Sequence, residues 1–150
     1  MSDFLELVAG LPQRRCAAGE VLLQQGAPPG GLFVLLAGGV EILRDDVRVA
    51  RATEPGAVFG EMSVLLERSC TATVRTLVPS TFACVAEPLE FLRRTPVASL
   101  HVARLLADRL DGLNRYLVDV KLQYEGHDHL AMVDEVLETL MQRQPRRSPR

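Results

Sequence analysis

Short β-prone runs alternate with glycine, proline and aspartate between about residues 15 and 92. The runs are EVLLQQ, LFVLLAG, GVEILR, VRVARAT, CTATVRTL and STFACVA. The breaks between them fall at Gly26 to Gly31, Gly38–Gly39, Asp45–Asp46, Pro55–Gly56 and Pro79. Many short strands separated by frequent turns are typical of an all-β sandwich or barrel. This part of the chain therefore predicts a mainly β fold.

One segment, VFGEMSVLLERS, interrupts the strand pattern. Gly60 precedes a stretch with helical character from about Glu61 to Leu66, and a short helix between strands is unusual enough to indicate a site. The first turn of a helix offers unpaired N–H donors to an anion, and glycine lets the backbone approach a ligand closely. The Glu61 carboxylate can accept a hydrogen bond from a sugar hydroxyl. Alternatively, Glu61 is only an acid favoured at the start of a helix.

The period of the apolar pattern changes after Pro96. Apolar residues then recur at alternating intervals of three and four, at Ala103, Leu106, Leu110, Leu113, Leu117, Val120 and Tyr124. This heptad stripe predicts a helix over residues 97–124, about 42 Å long at 1.5 Å per residue. Because that length exceeds the diameter of a small barrel, we expect the seven residues to form a homodimer interface. The alternative is that they pack on the barrel and the last helix of their own chain.

Shorter elements flank these two regions. Residues 3–9 predict a helix with Phe4, Leu5 and Val8 on its apolar face, ended by Pro12. DHLAMVDEVLETLMQR predicts a second amphipathic helix, and QPRRSPR predicts a disordered tail. We therefore divide the chain into four parts. They are a β-barrel with its N-terminal helix (1–96), a long helix for dimerisation and for closing over a ligand (97–125), an amphipathic helix (126–143) and a tail (144–150).

Composition and charge narrow the classes of function. Of the 150 residues, 47% are hydrophobic and 24% are charged, which is ordinary for a globular domain. A net charge of −2 and a pI near 5.9 give no electrostatic indication of nucleic-acid binding. No apolar run reaches the roughly 18 residues of a membrane span, and the acidic start of the chain is not a secretory signal. The three widely spaced cysteines predict free thiols and a cytoplasmic protein.

No pattern of catalytic or metal-binding residues stands out. The sequence shows no Ser/His/Asp or Cys/His order, no phosphate-binding P-loop and no acid dyad, so we expect no catalytic residue and no enzyme. GHDH, at residues 126–129, places two histidines around Asp128. A capped helix start explains this tetrapeptide better than a metal site does, so we expect neither a metal nor a cofactor.

The order of the segments resembles the cyclic-nucleotide-binding domain family, which includes the sensor domains of Crp/Fnr regulators and the regulatory subunits of protein kinase A. The resemblance covers roughly residues 10–125 and rests on AAGEVLLQQG, LFVLLAGGVEI, PGAVFGEMSVL and TATVRT, in that order. It implies a β jelly-roll barrel followed by a long helix and a second short helix, with cAMP or cGMP as the ligand. It also implies nucleotide contacts from Phe59, Gly60, Glu61, Met62, Arg68, Cys70, Thr71 and Ala72.

Cys70 departs from the pattern of that family. In the family an arginine nine residues after the glutamate holds the cyclic phosphate, and the resemblance gives Glu61 the ribose 2′-hydroxyl. A thiol is only a weak donor, and losing a charge-assisted hydrogen bond of roughly 1.5–3 kcal/mol lowers affinity by about one to two orders of magnitude. Arg68, or the hydroxyl groups of Thr71 and Thr73, can compensate for the missing charge. Alternatively, Arg68 is a solvated turn residue and Cys70 a buried packing residue.

Three functions follow from these expectations. The first is a non-catalytic sensor that binds a cyclic nucleotide and signals, through the long helix, to a separate effector protein. The second, favoured by Cys70, is a degenerate domain that has lost the nucleotide and serves in dimerisation or docking. The third is the sensor half of a Crp/Fnr-type transcriptional regulator. Only about 25 residues follow the long helix; they predict no winged helix-turn-helix, so we expect no DNA binding.

Overall fold

The computed structural model describes residues 2–124 and 129–142, and this part of the chain holds eight strands and five helices. In chain order they are α1 (Ser2–Ala9), β1 (Gln13–Cys16), β2 (Val21–Leu23), β3 (Leu32–Ala37), β4 (Val40–Arg44), β5 (Val47–Ala52), β6 (Val58–Phe59), α2 (Glu61–Leu66), β7 (Thr73–Thr76), β8 (Ser80–Val85), α3 (Pro88–Arg94), α4 (Pro96–Gln123) and α5 (His129–Gln142).

The strands form two antiparallel sheets of four strands each. The strand orders are β1-β8-β3-β6 in the first sheet and β2-β7-β4-β5 in the second. Two such sheets are the arrangement of a jelly roll. The predicted mainly β jelly roll, followed by a long helix and a shorter one, is therefore confirmed, as a pair of sheets.

Apolar side chains from both sheets meet in one core. Leu35, Val40 and Phe82 are completely buried, and the Phe59 ring meets the Phe82 ring edge-on, with 6.3 Å between their centroids. Cys70 belongs to the same buried cluster. The segment that follows α2 is therefore anchored in the centre of the jelly roll.

Three elements were not predicted from the sequence. Strand β1 buries only Cys16 of its four residues, so its exposed polar residues gave no strand pattern. Strand β6 has only two residues. Helix α3 begins with a proline at its first turn, where proline is tolerated. It ends at Arg94, because Thr95 precedes Pro96 and the residue before a proline avoids helical geometry.

A charged cluster covers the outer face of the second sheet. Val40 and Ile42 of β4 pack in the core, so Glu41 between them points outward. Arg75 donates from Nε to the Glu41 carboxylate at 2.8 Å, and Arg48 pairs with the other oxygen at 2.6 Å. These two guanidinium groups lower the pKa of Glu41. They also cover the carboxylate, so that Glu41 is only 5% exposed.

Helix α4 starts on the first of two compact units, which comprise residues 1–105 and 106–150. Ala98 and Val102 are buried. The His101 ring stacks on Phe4 of α1 with 3.7 Å between centroids, and its Nε2–H donates to the carbonyl oxygen of Gly56 at 3.0 Å. The beginning of α4 is therefore fixed to α1 and to the turn before β6.

The predicted interface stripe is largely exposed along α4. Leu110 and Leu113 are 51% and 55% exposed and Tyr124 is 44% exposed. Ala103 is exposed as well, and Leu106, Leu117 and Val120 are half-buried. In the second unit Lys121 pairs with Asp134 of α5. The tail 144–150, Gly126 and Asp128 lie outside the described residues. None of the helices within the described ranges is both long enough and apolar enough to cross a membrane.

Candidate functional site

The start of α2 is held by a close contact between two glycines. Gly60 has φ = 87°, a left-handed conformation that side chains rarely adopt. A Cβ atom at this position would lie less than 3.0 Å from the carbonyl oxygen of Gly31 and 3.4 Å from Cδ1 of Leu23. Only glycine fits here. The turn places α2 directly after β6, whose Val58 and Phe59 are buried and pair with β3.

Helix α2 turns one face inward and exposes the other. Glu61, Ser63 and Val64 are buried, and Glu61 is the first residue of the helix. Ser63 donates a hydrogen bond from Oγ to the carbonyl oxygen of Gly60 at 3.1 Å. Met62 is 40% exposed. The site therefore presents one buried carboxylate directly after a turn whose Gly60 carries no side chain.

Residues 59–72, which include all the predicted nucleotide contacts, are called the cassette. Cys70 lies near its far end, and two hydrogen bonds hold the main chain of this residue. Its N–H donates to the carbonyl oxygen of Ala27 at 2.9 Å, and its own carbonyl oxygen accepts from the N–H of Gly26 at 2.8 Å. Its side chain is only 6% exposed. The thiol donates a weak hydrogen bond to the carbonyl oxygen of Pro28 at 3.7 Å. The position that carries the arginine in the resembling family thus points into the core here.

The remaining predicted site residues lie in different environments. Arg68 is exposed, and its side chain makes no hydrogen bond or ion pair with any described residue. Thr71 and Ala72 are half-buried. The hydroxyl oxygen of the nearby Thr73 accepts hydrogen bonds from the N–H of Gln25 and from the Gln24 side chain, at 3.0 and 3.2 Å. Glu61 and Cys70 therefore turn inward, whereas Met62 and Arg68 face solvent.

Sequence reasoning missed the loop that supports both ends of the cassette. The carbonyl oxygens of Ala27 and Pro28 contact Cys70, and the carbonyl oxygen of Gly31 abuts Gly60. The sequence APPGG marked this loop as a break between strands. It did not indicate which later residues the loop would meet.

The thiols and the acidic residues form no metal centre in the described part of the chain, and two of the three thiols are not activated. Among the described residues, no three His, Cys, Asp or Glu side chains lie together in a way that could hold a metal ion. Cys16, Cys70 and Cys84 are free. Burial raises the pKa of the Cys16 and Cys84 thiols, although the charge of Arg14 acts in the opposite direction. A raised pKa keeps these two thiols protonated and poorly nucleophilic.

Comparison with protein families identifies the class to which this fold and cassette belong. The model of a family described as "Cyclic nucleotide-binding domain" matches residues 13–91, more than half of the chain. The chain therefore belongs to the cyclic nucleotide-binding domain family. This is a family of regulatory domains. The match confirms the resemblance that the four sequence segments indicated.

Individual relatives share this domain within much larger proteins. Glutaminase 2 of Bradyrhizobium diazoefficiens is 38% identical over 99 residues, which are 63% of this chain and 15% of that protein. The cAMP-dependent protein kinase regulatory subunit of Yarrowia lipolytica is 29% identical over 73 residues, 49% of this chain and 19% of that protein. The chain thus spans less than a fifth of the length of these two curated relatives.

A solved structure shares the fold over most of the chain. The crystal structure of the Thermus thermophilus Catabolite Activator Protein has a TM-score of 0.65 and 24% sequence identity. It covers 81% of this chain and 60% of that chain. At this identity the likeness concerns the fold.

Proposed function

We propose that this protein is a regulatory module without catalytic activity, which binds cAMP or cGMP weakly through an atypical cassette. It passes the signal, as a cytoplasmic homodimer joined by α4, to a separate effector protein and binds no nucleic acid. Membership of a nucleotide-binding family supports the class of ligand. The departures within the cassette support the weak affinity.

The contact between Gly60 and Gly31 is the observation that carries the proposal. The contact fixes the start of α2, and glycine at residue 60 places no side chain of its own between a ligand and the amide groups of Gly60 to Met62. The buried carboxylate of Glu61 follows at once, and it accepts the hydrogen bond of a ribose hydroxyl. A buried carboxylate beside backbone amide groups suits a sugar phosphate, because the sugar and the phosphate then have separate partners.

The missing cation explains why the affinity should be weak. The thiol of Cys70 supplies no charge for a phosphate, and the loss of one charge-assisted hydrogen bond of roughly 1.5–3 kcal/mol weakens binding about ten- to hundred-fold. Arg68 is two residues away and exposed. Its long side chain can replace the charge only by giving up rotamer freedom on binding, which costs up to about 2 kcal/mol.

Titration calorimetry with cAMP and cGMP tests the proposal on four variants and the wild type. Glu61→Ala should abolish measurable binding, whereas Cys70→Arg should strengthen it about ten-fold or more. Arg68→Ala should weaken binding if Arg68 neutralises the phosphate. Ser69→Arg is the matched control, since it adds the same charge at an exposed neighbouring residue, and it should leave the affinity within about two-fold.

Thermal unfolding of each variant must accompany these titrations, because Cys70 is buried and a new charge there has to find solvent or an anion. A folded Cys70→Arg protein that binds neither nucleotide would overturn the proposal. Tight binding by the wild type, unaffected by Arg68→Ala, would show that the missing charge has no role.

A degenerate domain is the second candidate function, and the burial of Cys70 in the core cluster favours it. In that case the cassette is only a structural bridge between strands, and the chain acts through dimerisation or docking. The same titrations distinguish the two candidates. A degenerate domain shows no heat of binding in any variant while its dimer persists in sedimentation.

A further inference from the structure

A groove runs beside α2. Two adjoining cavities of about 500 Å³ and 490 Å³ share Pro29, Val64 and Pro88. The walls of the groove are the loop around Pro29, the end of β8 and the start of α3. Each cavity falls within the range of volumes that bind small ligands, and Glu61 lines neither.

The two sections of the groove differ in chemistry. The lining of the first contains no charged residue and includes Phe33, Val85 and Cys84. The second is lined by Glu67, Glu87, Glu90 and Arg93, all of them exposed. Three carboxylates and one guanidinium give this section a net charge of −2. The groove is therefore apolar in one half and acidic in the other.

We propose that this groove binds a short basic segment of a partner protein. The apolar side chains of the segment occupy the section between Pro29 and Val85, and its lysine or arginine side chains lie against Glu87 and Glu90. Charge complementarity selects this occupant, because an acidic segment would be repelled by the net negative charge. Exposed carboxylates give specificity and a faster encounter, while the apolar section supplies most of the affinity.

The same groove connects the partner to the proposed nucleotide site. Val64 contributes to its wall, and Glu61 lies three residues earlier, on the same face of the six-residue helix α2. A segment that binds against α2 and a nucleotide that binds Glu61 both favour particular positions of this one helix. Their affinities are therefore linked, and the linkage is reciprocal. This coupling, unlike the binding of the segment itself, rests on the proposed function.

Fluorescence anisotropy with the full chain and labelled hexapeptides tests the groove without any nucleotide. The probes are LRLRLR, its acidic counterpart LELELE and its non-apolar counterpart SRSRSR. We expect saturable binding of LRLRLR only. The double variant Glu87→Gln, Glu90→Gln should weaken that binding about five-fold. The matched control is Glu135→Gln, Glu138→Gln, which removes two exposed carboxylates from α5 and should change it less than two-fold.

Three results would contradict the proposal that the groove binds a basic segment. They are the absence of saturable LRLRLR binding, equal binding of LELELE, and equal weakening by both pairs of substitutions, which would indicate unspecific attraction. Conversion of a dimer to a monomer by LRLRLR would identify a second copy of this chain as the occupant, which also contradicts the proposal.

A last titration, with LRLRLR in saturating cAMP and in saturating cGMP, tests the coupling. At least one nucleotide should change the peptide affinity about three-fold or more, and an unchanged affinity with bound nucleotide would refute it. If neither nucleotide binds, the proposed function fails, while the nucleotide-free measurements still decide whether the groove binds the peptide.

Discussion

Replacing Gly60 by alanine should destabilise the domain and the cassette together. The substitution adds one Cβ atom at a residue with φ = 87°, less than 3.0 Å from a backbone oxygen of the loop around Gly31. A backbone atom cannot rotate away as a side chain would. Either α2 or the loop must therefore move.

The expected cost has two parts. A left-handed conformation costs an L-residue roughly 1–2 kcal/mol. Forcing an extra carbon into a filled site costs roughly another 1–3 kcal/mol. We therefore expect Gly60→Ala to lower the free energy of unfolding by about 2–5 kcal/mol, a large fraction of the 5–15 kcal/mol typical of a domain.

Gly19→Ala separates these two parts. Gly19 has nearly the same φ, 82°, but an added Cβ would meet nothing within 4 Å. Its substitution should cost only the conformational part, about 1–2 kcal/mol. Urea unfolding of both variants and of the wild type measures the difference. If Gly60→Ala costs no more than Gly19→Ala, the contact with Gly31 does not fix the start of α2 and our account of the cassette is wrong.

Three further predictions concern the helices and the charged cluster. Leu110→Glu combined with Leu117→Glu should convert the proposed dimer to a monomer at tens of micromolar in sedimentation; a dimer that survives both changes contradicts an α4 interface. His101→Ala should lower the free energy of unfolding in urea by about 1–2 kcal/mol, since it loses a ring stack and a hydrogen bond; an unchanged stability would mean that this anchor of α4 is dispensable. The pKa of Glu41 is lowered in the folded state. The Glu41 carboxylate therefore stabilises the fold above the unfolded pKa of about 4.3, and this stabilisation is lost as the pH falls through the pKa of the folded state. Glu41→Gln should therefore flatten the decline of stability below about pH 4.3, and an unaltered decline would exclude the cluster as its cause.

Much of the jelly roll could be predicted because its central strands carry their own pattern. Strand β3 has the sequence LFVLLA and β8 has STFACV, and each buries most of its residues. Strand β1 could not be predicted in this way, because only its antiparallel pairing with β8 makes QRRC a strand. Local sequence carries no information about such a partner, which lies more than sixty residues away.

The helix that carries the candidate site was predictable in position, whereas its surroundings were not. In the sequence, Gly60 before a stretch with helical character located the start of α2 at Glu61, where the structure has it. The contact of Gly60 with Gly31 depends on the pairing of β6 with β3, which brings together residues distant in sequence. The burial of Cys70 likewise depends on its two backbone bonds to the loop of Gly26 and Ala27. The sequence alone left both alternatives for Cys70 open.

Those two bonds also bear on how a binding specificity can change. They involve only the main chain at residue 70, so every residue except proline, which has no N–H, can make both of them. An arginine in place of the Cys70 thiol can therefore keep these main-chain bonds, although its charge must still find solvent or an anion outside the apolar core. One mutational step can remove or restore a charged partner without rebuilding the scaffold. In the proposed nucleotide site, such a position lets a lineage of domains gain or abandon a ligand faster than it changes its fold.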